Sequence, residues 1–175
     1  MPKRVSREDI KQTLHYFRNS PSYKQVKALI LLGYSSGLRA HELYQLRPND
    51  LHLETRTVYV NHKPSSDQTT KTGLSRVSFF DKRAQIALYD HLNALERNRK
   101  IKHIFGKTKL VRLFRSAPIS VKDLRKAFSQ EWDKRNGSFA VKERLLGHSL
   151  NRVDFQHYSY LDEGDLKQVY EKVMV

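Results

Sequence analysis

An almost wholly apolar stretch, "YKQVKALILLGYSSG" at residues 23–37, limits the fold more than any other feature of the chain. Its apolar side chains recur at helical spacing and cover most of a helix circumference. A helix of this kind must be surrounded by other elements, and Gly37 is a natural place for it to end. No run of about 18 apolar residues exists, so we expect the central helix of a core and not a membrane span.

Two further helix starts are marked by capping-box pairs, in which a hydroxyl residue is followed three positions later by an acid. Ser6 with Asp9 predicts a first helix, and Ser120 with Asp123 predicts a helix that runs through Trp132. Short helices are also expected at "RAHELYQL", "KTKLVRLFR" and "GDLKQVYEKVMV". The chain is therefore expected to be mostly helical.

β-Branched and aromatic residues are concentrated in "TVYV" at 57–60 and "LSRVSFF" at 74–80. The polar sequence "NHKPSSDQTTKTG" separates them, which predicts an antiparallel pair with a long tip, and "LHL" at 51–53 is a candidate third strand. With the helices, this predicts an α+β fold, a mostly helical domain with a small antiparallel β-sheet. No change of composition marks a domain boundary.

The charge is strongly positive, with 33 Lys and Arg against 18 Asp and Glu, a formal net charge of +15 over 175 residues. Such a field favours a polyanionic partner, with nucleic acid the first candidate and an anionic membrane surface the second. The absence of cysteine excludes disulfides, thiolate metal sites and cysteine nucleophiles, and it fits a cytoplasmic protein. No clustered acidic pair has the spacing of metal ligands, which is consistent with a site that uses no metal and no cofactor.

Several cations are candidates for a functional site, although each alone is more simply a surface residue. Arg39 follows the Gly37 break, and Glu42 lies three residues further on, where it can hold the guanidinium. Lys71 lies at the predicted hairpin tip, from which an ammonium can reach a phosphate. Lys122 and Arg125 should face the same way at the start of a helix, where the dipole favours a phosphate.

Three residues near the C-terminal end complete the set of candidates. His148 continues the helical spacing of Val141 and Leu145, where a buried, hydrogen-bonded core histidine is the simpler interpretation. Tyr158 follows it by ten residues and Tyr160 by two more. Such tyrosines usually serve in packing, since a tyrosine is a nucleophile only when it is positioned and activated.

In order and spacing, these residues resemble the catalytic domain of the tyrosine recombinase, or phage integrase, family. "SSGLRAHELYQL" is similar to its first arginine box, "KTGLSRVSFF" to its β-hairpin lysine motif, and "VKDLRKAF" to its His-x-x-Arg box. "LLGHSLNRVDFQHY" is similar to its Leu-Gly-His box and the tyrosine that follows. One box is a weak indication, whereas four in the right order, over roughly residues 6–170, are a strong one.

The resemblance implies the tyrosine-recombinase catalytic-domain fold and a site-specific DNA recombinase or integrase. Such an enzyme cleaves and rejoins DNA through a 3′-phosphotyrosine intermediate, without a metal. Tyr158, at the family's spacing from His148, would be the nucleophile. Arg39, Arg125 and His148 would stabilise the transition-state charge, and Lys71 would protonate the departing 5′ oxygen.

One position departs from the family's pattern, because Lys122 stands where the His-x-x-Arg box has histidine. Together with "NRVDFQHY", this looks most like integrases of archaeal viruses and plasmids. An ammonium can stabilise phosphate charge but cannot accept the proton of Tyr158. That proton would go to a deprotonated Lys122, to water, to the substrate or to His148.

The resemblance makes residues 1–175 a single C-terminal catalytic domain, because no sequence for the family's N-terminal core-binding domain is present. The implied partners are double-stranded DNA and other protomers in a recombination synapse, a tetramer on DNA, with no membrane. Two alternatives stay open. One is a non-catalytic, helix-rich DNA-binding module. The other is an enzyme similar to type IB topoisomerases, which uses phosphotyrosine chemistry to relax supercoils.

Overall fold

The computed structural model describes residues 1, 3–96, 100–148 and 160–175. In these ranges the protein has the predicted α+β fold, mostly helical with one antiparallel sheet in the strand order β1-β2-β3. The helices are α1 (Arg7–Phe17), α2 (Tyr23–Ser36), α3 (Ala40–Gln45), α4 (Lys82–Glu96), α5 (Lys107–Phe114), α6 (Val121–Lys134), α7 (Phe139–Leu146) and α8 (Glu163–Met174). The strands are β1 (Leu51–His52), β2 (Thr57–Val60) and β3 (Arg76–Phe79).

Helix α2 is the centre of the main core, as its apolar sequence predicted. Every residue from Ala28 to Ser36 is buried, and α1, α4 and α6 pack around the helix. A fully buried leucine such as Leu29 stabilises the fold by about 2 kcal/mol relative to an exposed one. The C-terminal end of α2 is therefore firmly held. No helix in the described ranges is both long and apolar enough to cross a membrane.

A second cluster of buried aromatic residues joins β3, α6 and α8 through Phe79, Phe128, Trp132 and Tyr170. The Tyr170 hydroxyl donates a hydrogen bond to the carbonyl of Ser35 at 2.6 Å. Burial raises the pKa of this hydroxyl well above its ordinary value, so it remains a donor. The last helix is thereby attached to the final turn of α2.

The predicted starts of α1 and α6 are confirmed. The Asp9 carboxylate accepts from the Ser6 backbone N–H at 2.7 Å, and the Ser6 hydroxyl accepts from the Asp9 N–H at 3.2 Å. At α6 the Asp123 carboxylate accepts from the Ser120 N–H at 2.9 Å. Such caps satisfy N–H groups that have no partner inside the helix.

The predicted third strand and the antiparallel β2–β3 pair are also present, with Val58 opposite Ser78. The long connection between β2 and β3 folds back onto the end of α3, which the sequence did not predict. Gln68 is buried there, and its amide donates to the Gln45 carbonyl at 3.1 Å and to Asp50 at 2.7 Å. These side-chain bonds hold the base of the tip.

The predicted helical position of His148 is wrong. Gly147 takes a left-handed conformation (φ 73°), and the His148 N–H donates back to the Glu143 carbonyl at 3.0 Å. This closes a Schellman motif and ends α7 before His148. The histidine therefore does not share a buried face with Val141 and Leu145, and 43% of its side chain is exposed.

Candidate active site

The site begins at Gly37, where α2 ends. Its φ of 74° is left-handed, and a Cβ at this position would lie 2.5 Å from the ring of Phe128. Glycine is therefore needed both for the turn and for the close packing. The Gly37 carbonyl accepts a hydrogen bond from Nη1 of Arg125 at 2.9 Å, and the same turn leads to Arg39 at the start of α3.

A buried carboxylate holds two arginines. Glu42 is only 2% exposed and accepts from the Arg39 backbone N–H at 2.8 Å and from its Nη1 at 3.2 Å. It also accepts from both terminal nitrogens of Arg76, at 2.7 and 2.8 Å. Burial would raise the pKa of Glu42, but the hydrogen bonds and charges of Arg76 and Arg39 outweigh it and lower the pKa to about 2.

Arg76 was not predicted from the sequence as part of the site. It begins β3, contacts Glu42 on α3, and donates from Nε to the Leu145 carbonyl on α7 at 2.9 Å. Its stem lies against Gly147, where a Cβ would come within 2.7 Å of the Arg76 Cδ. No signal in the sequence indicated this role, because Arg76 shares a strand face with the polar Ser78. Only the structure shows that Ser78 is fully buried.

Arg125 is fixed by carbonyls and by a histidine. Its Nη2 donates to the Leu146 carbonyl at 2.9 Å and contacts His148 Nε2 at 3.0 Å. Burial, and then the positive charges of Arg39 and Arg76, lower the pKa of Arg125 to about 10, so it remains charged at neutral pH. We call Arg39, Arg76 and Arg125 the arginine cluster. An anion bound beside it would relieve the repulsion among its members.

His148 lies between a cation and a carboxylate. A guanidinium has only donors, so Nε2 of His148 must accept from Arg125 and carries no proton. The proton is then on Nδ1, which donates to the Glu143 carboxylate. This assigns the neutral Nδ1–H tautomer from the hydrogen-bond pattern. Glu143 was also missed by the sequence analysis, because only the turn at Gly147 brings His148 back onto it.

The two candidate lysines lie apart from these contacts. Lys71 is exposed in the turn that precedes β3, and Lys122 is exposed in the first turn of α6. Arg125, one turn after Lys122, points inward. The predicted common orientation of Lys122 and Arg125 therefore does not give them common contacts. The structure brings together Arg39, Arg125, His148 and Glu42.

Of the two candidate tyrosines, Tyr158 lies outside the described residues. Tyr160 is described, and 75% of its surface is exposed. A cavity of about 430 Å³ lies between the start of β3, the end of α7 and the start of α8, with Arg76 and His148 in its wall.

The chemistry available at this site is electrostatic. Guanidinium groups keep their charge and present planar forks that match phosphate oxygens, and here they are held by a buried carboxylate and by backbone carbonyls. Within the ranges that the structure covers, no three His, Asp or Glu side chains are grouped as metal ligands. The geometry is suited to holding a phosphodiester as its negative charge increases.

The sequence is similar to curated recombinases over most of its length. Tyrosine recombinase XerC of Histophilus somni is 26% identical over 181 residues, covering 98% of this chain and 61% of that protein. Tyrosine recombinase XerA of Saccharolobus solfataricus is 29% identical over 153 residues, covering 85% of this chain and 50% of that protein. The chain thus spans about three fifths of the length of the XerC relative. These relatives do not support the narrower likeness to integrases of archaeal viruses and plasmids.

Solved structures show the same fold. The crystal structure of XerA recombinase aligns with a TM-score of 0.66 and 18% identity, covering 100% of this chain and 66% of that one. The XerH site-specific recombinase bound to palindromic difH substrate, a post-cleavage complex, aligns with a TM-score of 0.61 and 20% identity. The alignment covers 95% of this chain and 51% of that one. The model of the phage integrase family matches residues 3–164, and the chain therefore belongs to that family.

Proposed function

We propose that residues 1–175 are the catalytic domain of a site-specific DNA recombinase, which cleaves and rejoins DNA through a 3′-phosphotyrosine intermediate without a metal. The observation that carries the proposal is the convergence of Arg39, Arg125 and His148. They come from three separate segments of the chain: Arg125 is hydrogen-bonded to His148 and to the Gly37 carbonyl. Arg39 lies two residues after Gly37, and its positive charge lowers the pKa of Arg125. The XerC and XerA relatives support the same activity.

In this mechanism Arg39 and Arg125 bind the nonbridging oxygens of the scissile phosphate. The bond between the Tyr158 oxygen and phosphorus forms while the bond from phosphorus to the 5′ oxygen breaks. Lys71 gives a proton to the departing oxygen, because an alkoxide is a poor leaving group. The phosphotyrosine ester keeps the energy of the broken bond, so a second 5′ hydroxyl can rejoin the strand by the reverse path.

The proposed partners are double-stranded DNA and further protomers in a tetrameric synapse. The net charge of +15 supports the first. Complexes of related folds support it as well, such as the Tn1549 transposon integrase with transposon right end DNA. Kinship with archaeal viruses or plasmids depends only on Lys122 and "NRVDFQHY", and it is not part of this proposal.

The test is covalent trapping on nicked suicide duplexes whose sequence around the nick is randomised, since the target sequence is not specified. We expect a protein–DNA adduct that Tyr158→Phe abolishes and Tyr160→Phe retains, because each change removes only a hydroxyl. Peptide mapping then locates the phosphotyrosine. An adduct on Tyr160, or one that survives Tyr158→Phe, would overturn the assignment of the nucleophile.

Trapping, together with assays of plasmid relaxation and of exchange between two duplexes, separates the alternatives. DNA binding without any adduct would favour the non-catalytic module. Adduct formation with relaxation of a single supercoiled plasmid, and with no exchange between two duplexes, would favour topoisomerase-like activity. Recombination requires two duplexes and contacts between protomers, whereas relaxation requires neither.

A further inference from the structure

Glu143, His148 and Arg125 form a continuous hydrogen-bonded series. The Glu143 carboxylate accepts from Nδ1 of His148, and Nε2 accepts from Nη2 of Arg125 at 3.0 Å. Within the arginine cluster, Glu42 pairs with Arg39 and Arg76. The negative charge of Glu143 raises the pKa of Arg125, the third member. Through its hydrogen bond to Nδ1, Glu143 determines which nitrogen of His148 is unprotonated, and that nitrogen accepts from Arg125.

We propose that Glu143 is a positioning residue that makes His148 the proton acceptor for strand cleavage, an inference that rests on the proposed function. The ammonium of Lys122 has no lone pair and is exposed at the start of α6. His148 has an accepting nitrogen and is hydrogen-bonded to Arg125, the proposed phosphate ligand. A carboxylate behind the ring both orients it and stabilises the imidazolium that forms, as in the triads of serine hydrolases.

The proton moves as follows. Nη2 of Arg125 first transfers its hydrogen bond from Nε2 of His148 to the phosphate, which frees the lone pair of that nitrogen. The O–H bond of the attacking tyrosine then breaks, and its proton goes to Nε2 as the oxygen bonds to phosphorus. The bond from phosphorus to the 5′ oxygen breaks, and that oxygen takes a proton from Lys71. The sequence-based expectation that His148 is a third donor to the phosphate is thereby refined, because Nε2 becomes a donor only after accepting the proton. It then donates when the phosphate charge is greatest, which favours the transition state over the bound substrate.

The surroundings of His148 identify a matched control. The charged groups near it are Glu143 on α7, Arg125 on α6 and Arg76 on β3, with Arg144, Asp162 and Glu163 in the cavity wall. Glu163 accepts from the Tyr59 hydroxyl at 2.7 Å. Glu163→Gln therefore changes the net charge by the same amount as Glu143→Gln. Glu163 lines the same cavity as His148, but its replacement leaves the partner of Nδ1 in place.

The first experiment measures the single-turnover rate at which the nicked suicide duplex is cleaved. The rate is measured across about pH 5 to 9 for the wild type, Glu143→Gln and Glu163→Gln. An amide can still accept from Nδ1–H but cannot stabilise an imidazolium by charge. We expect Glu143→Gln to cleave about a hundredfold more slowly, with the acidic limb of its pH–rate profile moved to lower pH. Glu163→Gln should match the wild type. An unchanged rate, or a slower rate with an unmoved profile, would overturn the inference.

The second experiment does not depend on activity. Nitrogen-15 NMR of the free protein reports which ring nitrogen of His148 carries the proton when the ring is neutral. The wild type should have it on Nδ1, and Glu143→Ala should lose this preference. A wild-type His148 protonated on Nε2 would refute the inference even if cleavage occurs. A wild type that forms no adduct at all would instead refute the proposed function, and the assigned role with it.

Discussion

At the scale of single residues, the site depends on guanidinium shape as much as on charge. Arg125 uses its two terminal nitrogens for two carbonyls and one ring nitrogen, which a lysine cannot reproduce from a single nitrogen. We expect Arg125→Lys to slow cleavage by about a hundredfold or more, the effect of losing one preorganised donor. Single-turnover cleavage measures it. Exposed Arg115→Lys is the control, and equal rates for both variants would remove Arg125 from the proposed role.

Glu42 links the site to stability and to pH. Its folded-state pKa of about 2 is below the ordinary 4.5, so its contribution is present above about pH 4.5 and is lost as pH falls toward 2. This lowering of the Glu42 pKa corresponds to about 3 kcal/mol of folding free energy at pH 7. We expect Glu42→Gln to lower the free energy of unfolding at pH 7 by about 3 kcal/mol. Denaturant unfolding from pH 7 to pH 3 checks this, and the variant should lose less stability on acidification than the wild type.

The pairing of residues is what the sequence predicted least well. Glu42 was expected to hold Arg39 because the two are three residues apart on one helix. Arg76 is 34 residues from Glu42 along the chain and contacts the same carboxylate. Arg125 is 88 residues from Gly37 and donates to its carbonyl. Those contacts depend on how β3 and α6 pack, which local spacing does not specify.

At the scale of elements, prediction succeeded where the cause is local. The apolar circumference of α2, the two capping pairs and the β-branched strands each act within a few residues, and each gave the correct element. It failed at His148, where the helical spacing continues but Gly147 ends the helix. A glycine at the end of an apolar face should therefore carry more weight than the continued spacing.

The Gly147 turn has a consequence that can be tested. A Cβ there would meet Arg76 Cδ at 2.7 Å, and the φ of 73° is unfavourable for other residues. We expect Gly147→Ala to destabilise the fold by about 1–3 kcal/mol and to reduce cleavage, because the side chain of Arg76, which pairs with Glu42, must shift.

Gly106→Ala is the matched control for that change. Its backbone is ordinary, and its nearest atom would be 3.6 Å away. Its effect on stability should stay within about 1 kcal/mol, because Gly106 is the N-cap of α5 and alanine is a weaker cap. Thermal unfolding of both variants provides the comparison, and equal midpoints would contradict the packing argument.

At the scale of the whole molecule, charge and core have separate roles. Two buried clusters fix the helices and the sheet, while the excess of 33 basic over 18 acidic side chains sets the long-range field. The members of the arginine cluster are few among those cations. Catalysis and general DNA affinity should therefore respond differently to mutation, since affinity sums over many phosphate contacts and catalysis depends on one phosphate.

Salt dependence tests this separation. We expect binding to duplex DNA to weaken steeply with salt, by about a thousandfold or more between 50 and 200 mM if six or more phosphates are neutralised. Arg39→Ala should reduce the slope of log K against log salt by no more than about one unit, while it lowers cleavage by about a hundredfold. Fluorescence anisotropy with labelled duplexes measures the slope. Binding that is insensitive to salt, or equal loss of binding and cleavage in Arg39→Ala, would contradict the argument.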